Sequence, residues 1–278
     1  MKSEVLLRGL AFGEGPRWHD GKLWFSDFYR HGIFTVDLSG KEELILGVPT
    51  QPSGLGWLPN GDLVFVSMLD RSLKRLSSDG QVHLHADLSD IAAGPCNDMV
   101  VSADGTAYVG NFGFDEGEDY AQASLAIVYA DGRVLAGPSG FDFPNGTVID
   151  PAGRQLIVAE SYGSRLTAFD IEQDGSLTAR REFADLGKRV PDGICLDAEG
   201  GVWVADPVNE TCFRVLEGGE VTDVVELEFN CFACMLGGPD RRTLFMVTAP
   251  TSKPKGLAAR LEGRIETVRV EVAGAGRP

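Results

Sequence analysis

Along most of this chain apolar residues alternate with polar ones over short stretches, and polar turns carrying glycine separate the stretches. One phrase returns six times: HDGKLWFSDF from His19, LPNGDLVFVSM from Leu58, SADGTAYVGNF from Ser102, DPAGRQLIVAES from Asp150, DAEGGVWVADP from Asp197 and GPDRRTLFMVTA from Gly238. Period-two alternation bounded by turn residues predicts β-strands. The turn glycines Gly21, Gly61, Gly105, Gly153 and Gly200, with Arg241 in the sixth place, are separated by 40, 44, 48, 47 and 41 residues. After each phrase comes another alternating stretch, such as GIFTVDL from Gly32, SRLTAFDI from Ser164 or TCFRVLE from Thr211, and then a turn such as Asp79-Gly80 or Asp131-Gly132. No long amphipathic helix interrupts the pattern; Lys255 to Leu261 reads as a turn or two of helix. A small sheet cannot bury both faces alone, but six arranged radially bury them against one another. The pattern predicts an all-β fold, a six-bladed β-propeller forming one domain over residues 1–278. Glu4 to Leu10 is expected to close the last blade beside a strand over Gly263 to Val272.

Equivalent positions converge in a radial fold. Eight residues before each turn glycine, in the loop expected to enter the innermost strand, stand Ser53, Asn97, Asn145, Asp192 and Ala233; in the shorter first repeat, seven residues back, stands Glu14. Proline and glycine flank several of them, as in Pro52-Ser53-Gly54, Pro144-Asn145-Gly146 and Pro191-Asp192-Gly193. Proline fixes the approach, and glycine is expected to permit an unusual backbone that swings the side chain toward the axis. Turns use the same residue types, but Glu14 is a poor turn former set between glycines. Glu14, Asn97, Asn145 and Asp192 make an all-oxygen set at one mouth of the channel, suited to a hard divalent cation such as Ca²⁺ or Mg²⁺. Zinc prefers nitrogen or sulfur ligands.

Composition narrows the partners. With 25 basic and 41 acidic residues the formal net charge is −16, which repels phosphate backbones and anionic membrane surfaces and excludes nucleic acid as a natural partner. The N-terminus has no secretory apolar run, and no stretch reaches the roughly 18 apolar residues of a spanning helix. The five cysteines, an odd number in a long chain, point to reduced thiols. These features predict a soluble cytoplasmic protein, a monomer or weak homo-oligomer.

The ordered set Gly13-Glu14-Gly15-Pro16-Arg17-Trp18, Asn97-Asp98, Phe143-Pro144-Asn145-Gly146, Pro191-Asp192-Gly193 and Gly237-Gly238-Pro239-Asp240 resembles the senescence-marker-protein, gluconolactonase and luciferin-regenerating-enzyme family, the regucalcin-like proteins. The likeness runs over essentially the whole chain. It implies a propeller with one catalytic divalent metal in the channel, Ca²⁺ first, with Zn²⁺, Mg²⁺ and Mn²⁺ as alternatives. Matched motif by motif, Glu14, Asn145 and Asp192 correspond to the metal ligands and Asn97 to a substrate-contacting or water-mediated one. Sugar lactonases of the family usually place an arginine two residues before this asparagine. Pro95 stands there, followed by Cys96, which points away from a heavily hydroxylated aldonolactone.

The expected activity is hydrolysis of a small-molecule lactone or ester, with the carbonyl polarised by the cation and water attacking. Asp192 is the expected water-orienting or base residue and Asn97 a second catalytic residue; Cys96, Ser53, Phe112 and Cys234 are expected substrate contacts. An arylesterase or phosphotriesterase-like hydrolase at the same metal and a non-catalytic calcium-binding propeller are the alternatives. A serine hydrolase does not fit, because Pro52-Ser53-Gly54-Leu55-Gly56 is not a G-x-S-x-G elbow. Cys231-Phe232-Ala233-Cys234 is a lone C-x-x-C and points to neither zinc nor redox use. The run FGFDEGEDYAQAS from Phe112 departs furthest from the repeat. It reads as a solvated acidic loop or a lid, and its rings, with Phe141, Phe143, Phe229 and Phe232, as an apolar rim.

Overall fold

The computed structural model describes residues 1–115, 117–253 and 256–277; Glu116 of the acidic loop and Lys255 of the helical turn lie outside them. Among the described residues the strands fall into six four-stranded antiparallel sheets, the blades of a propeller. After β1 (Glu4–Leu10), the first blade is β2 (Gly13–His19), β3 (Lys22–Asp27), β4 (Gly32–Val36) and β5 (Glu42–Gly47). The second is β6 (Pro52–Trp57), β7 (Leu63–Ser67), β8 (Ser72–Leu76) and β9 (Val82–Asp87). The third is β10 (Cys96–Val101), β11 (Ala107–Asn111), β12 (Ala123–Val128) and β13 (Val134–Phe141), and the fourth β14 (Pro144–Ile149), β15 (Gln155–Glu160), β16 (Arg165–Ile171) and β17 (Leu177–Asp185). The fifth is β18 (Ile194–Leu196), β19 (Val202–Asp206), β20 (Thr211–Val215) and β21 (Val221–Glu226).

The sixth blade consists of β22 (Asn230–Gly237), β23 (Thr243–Ala249), β24 (Gly263–Arg269) and, as its outermost strand, β1. Leu7 pairs with Ile265 and Leu10 with Gly263, so the N-terminal strand closes the ring as the alternation predicts. The helical turn is α1 (Leu257–Arg260). The last strand stops at Arg269, short of the expected Val272. Beyond it the chain crosses the base of the propeller, where the amides of Gly274, Ala275 and Arg277 donate to the carbonyls of Arg241, Leu196 and Ile149.

The core lies between blades. Ile157 and Val148 of the fourth blade meet Ile194, Val204 and Phe213 of the fifth, and Tyr108 and Leu125 of the third meet Leu156 and Phe169 of the fourth. Each such fully buried side chain contributes about 1.5–3 kcal/mol. The hairpin turns obey one rule: Gly21, Gly61, Gly105, Gly153 and Gly200 all have positive φ, and the arginine in the sixth place, Arg241, adopts φ 56.

Glycines beside the axis serve a different purpose from the one expected. A Cβ on Gly146 would stand 2.5 Å from the Asp192 carbonyl oxygen and from the Ile194 nitrogen, and one on Gly193 would stand 2.7 Å from Ala233 Cα. Neither has positive φ. They are there because the innermost strands of neighbouring blades approach too closely for a side chain; among the glycines flanking Glu14, Asn145 and Asp192, Gly15 alone is left-handed, at φ 53.

Candidate functional site

Glu14, Ser53, Asn97 and Asn145 are each the second residue of an innermost strand, β2, β6, β10 and β14, rather than residues of the loop before it. Asp192 stands two residues ahead of β18, and Ala233 lies inside β22. The strand register breaks at this point in five of the blades: between Glu14 and Arg17, Pro52 and Leu55, Cys96 and Met99, Pro144 and Thr147, and Cys231 and Ala233. A β-bulge inserts one residue against its partner strand, kinks the strand and re-aims the side chain. The bulge is therefore the local device that points the repeat position at the axis.

Two carboxylates, from the first and fifth blades, meet there. Burial, the neighbouring Asp192 and then Asp98 push the Glu14 carboxyl well above its ordinary value. Burial and Asp98 do the same to Asp192, against a partly offsetting hydrogen bond from Asn145. Glu14 Oε2 accepts the Gly15 amide at 3.0 Å, but Asp192 Oδ1 is buried with no hydrogen-bond partner.

The two asparagines are held in opposite senses. Asn145 donates from Nδ2 to Ser161 Oγ at 3.2 Å, and Ser161 in turn donates to the Pro191 carbonyl at 2.7 Å. Its amide nitrogen thus serves both Ser161 and the Asp192 carboxylate. Asn97 is held by its oxygen, which accepts a long hydrogen bond of 3.4 Å from Ser53 Oγ, leaving its nitrogen free to donate. The set of four oxygens expected from the repeats thus becomes three oxygen-bearing groups and one donor.

Beneath this mouth lies an ion pair that the repeat comparison did not find. Arg17 donates from Nη2 to Asp98 Oδ1 at 2.6 Å and to the Met99 carbonyl at 2.5 Å, and from Nε to the Leu55 carbonyl at 3.0 Å; the two residues are 3% and 4% exposed. Arg17 is fully engaged, so its charge compensates Asp98 and only weakly Glu14. Among the described residues no three His, Cys, Asp and Glu side chains group at metal-binding geometry; the candidate set is two carboxylates completed by an amide.

The remaining expected contacts differ in their surroundings. Cys96 and Cys234 are buried within hydrophobic clusters. The Cys234 thiol lies 3.8 Å from the Cys195 sulfur and 3.6 Å and 3.4 Å from the carbonyls of Gly193 and Trp203. It lies among β18, β19 and β22 close to Asp192, and against its burial the hydrogen bonds from Cys195 and Cys212 lower its pKa to about 5. Ser53 is buried and donates to Asn97 Oδ1. Phe112 is half-buried and stacks on Phe143 with ring centroids 4.7 Å apart; Phe143 stacks in turn on the exposed Tyr162 at 4.9 Å. Phe232 packs on Phe12 at 4.7 Å. Phe141 is not part of the rim but lies in the core against Phe169, and Phe229 is covered by the Arg264 guanidinium. The acidic loop is tied down by Arg71 on Asp115 at 2.5 Å and by Tyr120 on Asp142.

No helix among the described residues is long and apolar enough to cross a membrane, and all five cysteines are free. The chain is 27% identical to regucalcin of Danio rerio over 258 residues, 85% of this chain and 82% of that protein. It is 23% identical to the 6-deoxy-6-sulfogluconolactonase of Pseudomonas putida over 284 residues, 99% and 96% of the two chains. The crystal structure of a calcium-binding protein, regucalcin, from Agrobacterium tumefaciens superposes with a TM-score of 0.85 at 23% identity, covering 100% of this chain and 97% of that one. The model of the SMP-30/Gluconolactonase/LRE-like region matches residues 12–250, from just before Glu14 to just past the strand that follows Ala233, and the chain belongs to this family.

Proposed function

We propose that the protein is a metal-dependent hydrolase that opens a lactone less hydroxylated than an aldonolactone. The observation that carries the metal is Asp192 Oδ1, a buried carboxylate oxygen with no donor, beside a second buried carboxylate whose charge repels it. Two uncompensated buried charges are costly, and a cation removes the cost. Glu14, Asp192 and the oxygen of Asn145 fit a hard divalent ion, Ca²⁺ before Mg²⁺, Mn²⁺ or Zn²⁺, in their all-oxygen chemistry. When bound, such an ion supplies Lewis acidity toward the carbonyl and charge to balance the developing oxyanion.

The chain's own residues supply the rest. Asn97, its oxygen engaged by Ser53, offers its Nδ2 as a hydrogen-bond donor to the substrate. Asp192 takes a proton from the attacking water and returns it to the ring oxygen as the acyl carbon–oxygen bond breaks, giving a hydroxy acid. This role requires that one Asp192 oxygen remain free for water. The Phe112–Phe143–Tyr162 stack on one side and Phe12 with Phe232 on the other, together with Pro95 in the place of an arginine, favour an apolar or aromatic lactone. The named lactonase relative, 6-deoxy-6-sulfogluconolactonase, supports the reaction class.

The test is chelation with EDTA, add-back of Ca²⁺, Mg²⁺, Mn²⁺ or Zn²⁺, and assay on gluconolactone, dihydrocoumarin and an aryl organophosphate. Activity is expected to vanish, to return with metal, and to favour dihydrocoumarin. Full activity after chelation would overturn the metal, and preference for the organophosphate would overturn the lactone. Calcium-dependent stability with no turnover would leave a calcium-binding propeller.

A further inference from the structure

At the mouth opposite Glu14 there is a cavity of about 710 Å³. It is framed by the far ends of β2 and β6, the turn at Gly238 and the C-terminal segment that crosses the base. Glu14 is the second residue of β2 and Trp18 and His19 its last two; at about 3.3 Å per residue the two mouths are roughly 13–17 Å apart. The Arg17–Asp98 pair stands between them.

Two features set this cavity apart. Its walls are aromatic: His19 stacks on Trp57 with ring centroids 3.8 Å apart, and Trp18, stacked on Phe245 at 5.5 Å, lines it from the sixth-blade side. Its lining carries three arginines and no carboxylate, in a chain of net charge −16, although Asp20 reaches the His19 Nε2 at 3.3 Å from outside. Arg17 lines it but is engaged by Asp98, whereas Arg241 and Arg277 line it and form no ion pair among the described residues. Arg277 makes one long side-chain contact, to the Val101 carbonyl at 3.5 Å. The Arg241 Nε is buried beside Gly274, so it is the rest of this half-buried residue that lines the cavity.

Arg241 is also the residue that breaks the repeat. Its five equivalents are glycines, all at positive φ, and it takes the same left-handed turn at φ 56, a conformation costly for any residue with a Cβ. The sixth blade therefore accepts a left-handed backbone at a residue with a Cβ and sets a half-buried arginine at the wall of an aromatic cavity. We infer that this cavity is a second binding site, for a planar aromatic carboxylate, with Arg241 and Arg277 holding the carboxylate and Trp18, His19 and Trp57 the ring. Guanidinium groups match carboxylates with paired, charge-assisted hydrogen bonds, and the aromatic wall selects a flat apolar body.

The experiment is calorimetric titration of the intact protein with 2-naphthoate, with its neutral isostere 2-naphthamide, and with inorganic phosphate. Loss of one charge-assisted hydrogen bond corresponds to about ten- to a hundredfold in affinity. The wild type is expected to bind naphthoate at least tenfold more tightly than naphthamide, with phosphate a weak competitor. Arg241→Gly restores the repeat residue, so it is expected to keep or raise the Tm while losing at least tenfold in naphthoate affinity and most of the preference over naphthamide. Glu14→Gln at the other mouth is expected to leave naphthoate binding unchanged. The site is overturned if the wild type shows no saturable naphthoate binding, if naphthoate and naphthamide bind alike, or if Arg241→Gly binds as the wild type does. It is equally overturned if Glu14→Gln abolishes binding or if phosphate competes as well as naphthoate.

Discussion

Replacing Glu14 by Gln should invert the stability ranking of variant and wild type according to whether metal is present. Without metal, Glu14 is a buried carboxylate beside Asp192, which is half-buried with its Oδ1 fully enclosed, and the Asp192 charge raises the cost of ionising Glu14. Like charges about 4–6 Å apart at an effective dielectric constant of about 20 repel by roughly 3–4 kcal/mol. Glutamine is isosteric, and its amide oxygen can still accept the Gly15 N–H, but burial of its NH₂ returns about 1–2 kcal/mol of that gain. The net expectation is a metal-free variant about 1–3 kcal/mol more stable, or roughly 3–8 °C higher in Tm. With calcium at about a thousand times its Kd, the wild type gains about 4.1 kcal/mol by mass action. The variant, having lost one of two ligand charges, gains almost nothing.

Differential scanning calorimetry in EDTA and in excess CaCl₂ measures both arms. The order should cross, with variant above wild type in EDTA and below it in calcium. A variant less stable than wild type in EDTA would show that Glu14 is not an uncompensated charge, and an equal calcium shift in both proteins would remove Glu14 from the ligand set.

The sign of the pH dependence follows from the same pair. Glu14 has a raised folded pKa, so its cost is absent below its ordinary value of 4.5 and grows as pH rises through the raised one. In EDTA the Tm advantage of Glu14→Gln should therefore be small near pH 4.5 and widen toward about pH 8; scans across that range check it, and an advantage largest at acid pH would refute it. Arg17→Met should destabilise the protein by about 3–5 kcal/mol by leaving Asp98 buried and unpaired, and adding Asp98→Asn should recover part of the loss in a urea-unfolding double-mutant cycle. Ser161→Ala removes the partner that fixes Asn145 and should weaken calcium binding about ten- to a hundredfold, with a metal-free stability loss of about 1–3 kcal/mol from the unpaired Asn145 amide and Pro191 carbonyl; calcium titration by calorimetry checks the first.

The propeller was legible because its repeat is written at every scale: alternation gives strands, a turn glycine in five of six units fixes the hairpin, and the spacing counts the blades. Closure by Glu4–Leu10 was legible for the same reason, as an alternating strand left without a partner in the local order. What lies between blades was not. Arg17 and Asp98 are 81 residues apart, and nothing in the local pattern of β2 or β10 says that one answers the other. The available signal was the general rule that a carboxylate inside an apolar strand needs a buried cation.

The glycines next to Asn145 and Asp192 carry the clearest lesson about what a motif reports. Pro-Asn-Gly and Pro-Asp-Gly read locally as turns, and a turn reading assigns the glycine a left-handed backbone. Gly146 and Gly193 instead mark where one innermost strand passes against the next, so close that any side chain would strike backbone. The side chain before each is aimed by a bulge or by the entry to its strand, and by the neighbouring blade's backbone: the Gly146 amide donates to the Asp192 carbonyl at 3.1 Å, and the Gly193 amide donates to the Phe232 carbonyl at 2.8 Å. Asn145 and Asp192 are thus each positioned in part by the blade that follows, and the ring of six is what makes the geometry. An alanine at Gly146 would push β14 away from Asp192 and open the candidate metal site from below without touching a ligand. Motif residues and packing residues alternate along these strands because, at the axis of a propeller, the site and the core are the same layer.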